Sequence, residues 1–113
     1  MSSRVIEPFE RGLDLIRARE FFAAHEELET AWRASPTAER DFFQGLVHVA
    51  VAWYQAGRGN AVGCGRQLEK AERRLGPFEP RHRGVEVEAV LEQVAAARRT
   101  VDAGSLSLPP PVL

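Results

Sequence analysis

A histidine and a carboxylate four positions apart on a helix can share a divalent cation or pass a proton, and the run His25-Glu26-Glu27-Leu28-Glu29 supplies such a pair. On a helix the side chains of His25 and Glu29 meet on one face. Imidazole and carboxylate ligands suit zinc, iron or manganese. His48, further along the chain, offers a second imidazole. The metal set read from the sequence is therefore His25, Glu29 and His48, with Glu26 as a general base that activates water.

The spacing also excludes particular mechanisms. A zinc-protease helix needs His-Glu-x-x-His, and Glu29 stands where its second histidine would be. Di-iron bundles need two Glu-x-x-His units on helices. The one such spacing here, Glu79-Pro-Arg-His82, falls in a segment broken by Pro80. Cys64, the single cysteine, cannot form an internal disulfide or a cysteine-rich zinc site, and its place on an apolar helix face reads as packing. The glycines Gly57, Gly59, Gly63 and Gly65 lack the following Lys-Ser/Thr of a phosphate loop. His82, between Arg81 and Arg83, is expected to be exposed.

Helices must position these groups, because no stretch alternates with period two long enough to make a strand. Pro8 suits the first turn of a helix over roughly residues 8–18, on which Phe9, Leu13 and Ile16 recur. A second helix covers about 20–34 and stops at Ser35-Pro36. Thr37 reads as the N-cap of a third that runs to about Ala56, with Gly57 to Asn60 as its turn. The fourth, about 61–75, places Ala61, Cys64, Gly65, Leu68, Ala71 and Leu75 on one face, and Pro77 to Gly84 form a loop. The fifth, about 85–102, carries Val87, Val90, Leu91, Val94 and Val101 on one stripe. The expected architecture is all-α: four to five helices over residues 1–103, packed as antiparallel hairpins and loosely tetratricopeptide-like. A proline-rich tail, 104–113, either frays or lies extended on the surface.

On a helical wheel, His25 and Glu29 fall in the sector of Phe21, Phe22, Leu28 and Trp32, so they are expected to point inward; Glu26 lies on the border and Glu27 faces solvent. If the stripe Asp41, Gln44, His48 and Gln55 turns towards the second helix, Gln44 and His48 approach them. Gly45 marks a place where a neighbouring helix comes close. A buried carboxylate must be paired, protonated or liganded. The cluster therefore reads either as a hydrogen-bond network that sets helix packing, or as a metal or acid–base site. Trp32 and Tyr54 are the aromatics that could line a small-ligand pocket.

Composition narrows the partners. Hydrophobic residues make up 44% of the 113, which is ordinary for a folded protein. Fifteen basic and sixteen acidic residues leave a net charge of -1, so no basic footprint favours nucleic acid. No run approaches the roughly 18 apolar residues of a membrane span, and the start of the chain lacks the apolar stretch of a signal peptide. A reducing cytoplasmic location follows as the expectation. Protein or small-molecule partners, and association into homo-oligomers, are left open.

Three blocks occur in order: Phe21-Phe22-Ala-Ala-His25-Glu26-Glu27-Leu28-Glu29-x-x-Trp32-Arg33, then Arg40-Asp-Phe-Phe-Gln44-Gly45-Leu46-Val-His48, then Arg58-Gly59-Asn60. Together they resemble the bacterial and archaeal family known as domain of unknown function 309, over about residues 9–76. The resemblance implies an all-helical fold of packed hairpins. It assigns no activity, although some members carry the label of metal-dependent hydrolase. The family's polar motif falls here on His25, Glu26, Glu29, Arg40, Gln44 and His48. Three functional readings result: a non-catalytic scaffold or interaction module, a metal-dependent hydrolase with its site between the second and third helices, and a small-ligand binding domain.

Overall fold

Apolar residues at helical spacing, interrupted by turn residues, divide the chain into five helices. In the computed structural model, which describes all 113 residues, these are α1 (Ser3–Arg17), α2 (Phe21–Ala34), α3 (Arg40–Gly57), α4 (Ala61–Leu75) and α5 (Val87–Asp102). Single 3-10 turns, Thr37–Glu39 and Gly76–Phe78, precede α3 and follow α4. There is no β-strand, only an isolated bridge between His82 and Val85. The protein is all-α, as its periodicity requires.

Two boundaries differ from expectation. α1 begins five residues before Pro8, which lies buried inside the helix rather than in its first turn. An interior proline lacks the N–H that would bond the carbonyl four residues back. Burial of Val5, one turn before Phe9 on the same stripe, offsets that loss. Thr37 makes no capping bond. It starts the 3-10 turn instead, and the Ser35 hydroxyl closes α2 by donating to the Trp32 carbonyl at 2.7 Å.

Three helices stop by the same device. After α1, α3 and α5 the next residue but one takes positive φ: Arg19 at 61°, Gly59 at 75° and Gly104 at 92°. Its N–H and the following one then return to the last-turn carbonyls, as in Gly104 to Val101 and Ser105 to Thr100. Each helix folds back on its predecessor, and adjacent helices pack in chain order. The result is a row 42 × 25 × 19 Å, elongated as stacked hairpins are.

α3 is the central element. Phe42 and Phe43 are fully buried, and Phe9 of α1 meets their ring edges at 5.9 and 5.4 Å between centroids. Glycines set the closest approaches. A Cβ on Gly12 would stand 2.6 Å from Leu28 Cγ, and one on Gly45 would stand 2.6 Å from Leu75 Cγ. The close neighbour foreseen at Gly45 is therefore α4. Residues 105–113 return along α5 and lie extended on the body, with Pro111 buried.

Candidate functional site

α2 presents its motif residues at a flank, not to the core. The residues it buries are Ala24, Leu28 and Ala31. Small side chains let α1 and α3 close on this stripe, so the bulky Phe22 and Trp32 are pushed to its edge. The expectation that His25 and Glu29 point inward is thereby corrected: their side chains are 19% and 31% exposed. Phe22, taken with the core, is 49% exposed. Glu26 faces solvent, and Glu27, expected to face solvent, is partly covered and reaches Arg11 of α1 at 3.1 Å.

His25 and Glu29 do come together, with His25 Nε2 3.9 Å from Glu29 Oε1. His25 Nδ1 lies 2.6 Å from the Phe22 carbonyl, which can only accept, so Nδ1 donates. Nε2 then holds the lone pair of the neutral ring. Arg33 takes the other Glu29 oxygen at 3.2 Å. The facing Nε2 and Oε1 atoms offer a cation two donors.

His48 does not join them. The stripe Asp41 to Gln55 turns along α4, away from α2. Asp41 pairs with Arg74 at 2.7 Å, and His48 Nδ1 donates to Gln67 Oε1 at 2.7 Å. Burial pushes the His48 imidazolium to lower pKa; the bond to Gln67 opposes this, and Lys70, Arg74 and Arg73 reinforce it. The same three cations repel any divalent ion approaching His48. His25, Glu29 and His48 therefore converge on no common point, and no three His, Cys, Asp or Glu side chains are gathered as a metal cluster.

Arg40 stands at the seam between α2 and α3. The Arg40 guanidinium lies over Trp32, 5.0 Å from the ring centre. Gln44, half-buried, stands one turn from both Arg40 and His48. At the far end of the seam Tyr54 packs on Phe22 at 5.2 Å, and Arg58 lies over Tyr54 at 5.6 Å. Trp32 and Tyr54 thus mark opposite ends of the α2–α3 hairpin, since Arg40 and Tyr54 are about 20 Å apart along α3. They line no common pocket. An open cleft of about 360 Å³ adjoins Phe22, Tyr54, Arg19 and Arg58.

The family model for a domain of unknown function (DUF309) matches residues 9–66, more than half of the chain. The chain belongs to the domain of unknown function 309 family. The matched region runs from Phe9 in α1 into α4 and contains His25, Glu26, Glu29, Arg40, Gln44 and His48. It ends one residue before Gln67, the partner of His48. Comparison with curated proteins and with solved structures gives no match.

A cluster that sequence reasoning missed joins Glu39, inside the region shared with the family, to His82 and Arg83 beyond it. His82, expected to be exposed, is half-buried against Phe42 and Phe78, at 4.6 and 4.8 Å between ring centroids. Its Nε2 donates to both oxygens of Glu39, at 3.0 and 2.9 Å, and Arg83 bonds the same carboxylate. Glu39 is 9% exposed. Burial pushes its carboxyl pKa up, but the hydrogen bonds and charges of Arg83 and His82 outweigh burial and leave it lowered. No local signal announces this contact, because its partners are more than forty residues apart. No helix is long and apolar enough to cross a membrane.

Proposed function

We propose that this member of the domain of unknown function 309 family is a non-catalytic helical interaction module, acting in the cytoplasm, whose recognition face is the α2–α3 seam. One observation carries the reading. The other seams are bridged by ion pairs: Arg11 with Glu27, Asp41 with Arg74, and Glu72 with Arg98. Stacked aromatics edge the α2–α3 seam instead, Trp32 under Arg40 and the half-exposed Phe22 against Tyr54. Tryptophan, tyrosine and arginine are the residues that dominate binding hot spots. The cleft beside Phe22 and Tyr54 gives a partner's side chain a place to insert.

The His25–Glu29 pair then orients Phe22 and Arg33 at the rim. Glu26, exposed and unpaired, is a contact residue rather than a base. A photo-crosslinking amino acid at position 22, introduced in cells of the source organism, tests this. The expected result is a discrete protein adduct that disappears in Tyr54→Ser and Arg40→Ala variants. One equivalent of zinc, iron or manganese per chain, with a hydrolytic activity lost in His25→Ala and Glu29→Gln, would overturn it in favour of the hydrolase.

A further inference from the structure

Residues 105–113 are held in an unusual way: every polar contact from the helical body to them reaches their main chain. The indole Nε1 of Trp53 donates to the Pro109 carbonyl at 2.9 Å. The Gln93 side-chain amide takes both main-chain groups of Val112, donating to its carbonyl and accepting from its N–H, each at 2.7 Å. The Arg17 guanidinium donates to the Leu113 carbonyl at 2.7 and 3.1 Å. Any chain following the same extended path would receive the same bonds, whatever its side chains.

The path suits proline. Pro109, Pro110 and Pro111 have no N–H to satisfy, and a polyproline II chain leaves its carbonyls free. An aromatic-lined groove with a donor aimed at such a carbonyl is a general way of binding a stiff proline segment, because little conformational entropy remains to be lost. The side chains of 105–113 fit the groove incompletely. Pro111 is buried, but Pro109 and Pro110 are exposed and Val112 is 75% exposed. Space is left on both flanks: about 160 Å³ between Pro109 and Trp53, Gln93 and Ala97, and about 220 Å³ beside Leu106 and Leu108 towards Phe21.

We propose that the groove between α3 and α5 is a binding site for proline-rich segments, occupied in cis by residues 105–113 and opened to a proline-rich segment of another protein when these are displaced. The tether is short, so the cis segment competes at millimolar effective concentration. An incoming segment wins by filling the two spaces that Leu106, Leu108 and Pro109 leave. The proposal deepens the reading of the chain as an interaction module. Its failure would leave the α2–α3 face intact, because crosslinking from position 22 is read separately.

The test is titration of the full chain with a fluorescent peptide of sequence Leu-Ser-Leu-Pro-Pro-Pro-Val-Leu. Pro111→Asp should release the cis segment, seen as rapid hydrogen exchange at the Val112 N–H. It should then bind the peptide at least about tenfold more tightly than the parent chain. Adding Gln93→Ala to that variant should weaken binding about tenfold, the scale of losing paired hydrogen bonds. If Pro111→Asp does not fold, Leu108→Asp, at a half-buried position, is titrated in its place. Equal binding by released and parent chains, equal binding of a peptide with alanines for the prolines, or concentration-dependent dimerisation of the released chain without peptide would each overturn the proposal.

Discussion

At the residue scale, the histidines divide by surroundings rather than by sequence context. His25 sits at a helix flank beside one carboxylate, whereas His48 is held among cations of α4. Because the His48 pKa is lowered on folding, the unfolded chain binds the proton more readily. Its contribution to stability is present above the ordinary imidazole value near 6.5 and is lost as pH falls through the folded value. Urea midpoints at pH 7.5 and 5.5 should therefore fall in the parent chain and fall less in His48→Gln. An unchanged pH slope in the variant would refute the assignment. His25 spends one ring nitrogen on a single carbonyl, so His25→Ala should cost about 0.5–1.5 kcal/mol in denaturant unfolding, the scale of one hydrogen bond. Cys64 is buried, and burial pushes its thiol pKa up, so it should react with a thiol reagent no faster than the chain opens.

At the element scale, helix ends and close approaches carry the sharpest constraints. Arg19 holds the left-handed position at which α3 and α5 use Gly59 and Gly104. A side chain there costs about 1 kcal/mol. Arg19→Gly should raise the melting temperature by a few degrees, and Gly104→Ala should lower it by a similar amount. Gly45→Ala sets about 1 kcal/mol of gained helix propensity against a Cβ driven into Leu75. Overpacking costs roughly 1–3 kcal/mol, so the variant should be destabilised, and equal or greater stability by chemical denaturation would show that α4 yields.

At the scale of the molecule, Glu39 ties the entrance of α3 to the loop before α5 through His82 and Arg83. A lowered carboxyl pKa makes this contribution present above the ordinary glutamate value near 4.5, and it is lost as pH falls through the folded value. Glu39→Gln should cost on the order of 1–3 kcal/mol at neutral pH, less than a fully buried pair because His82 and Arg83 are partly solvated, and should flatten the acid limb of the stability curve. The surface pairs Arg11–Glu27 and Asp41–Arg74 are each worth less than about 1 kcal/mol, so molar salt should shift the melting temperature only slightly.

What the sequence determined by itself is local. Apolar periodicity and the Ser35-Pro36, Gly57 to Asn60 and Gly76-Pro77 breaks placed the helices, and the ordered motif blocks placed the chain in its family, because both signals lie within a few turns of backbone. The orientation of those helices was another matter. On a wheel Phe22 and Trp32 outweigh Ala24 and Ala31, yet the alanines are buried, since only small side chains let α1 and α3 close on α2. That rotation moved His25 and Glu29 to the flank and left His48 to α4. The Glu39–His82–Arg83 cluster and the seat of residues 105–113 on Trp53 and Gln93 were likewise decided only by tertiary structure. Each joins groups from distant parts of the chain, and the energy that selects them exists only once the helices between have packed.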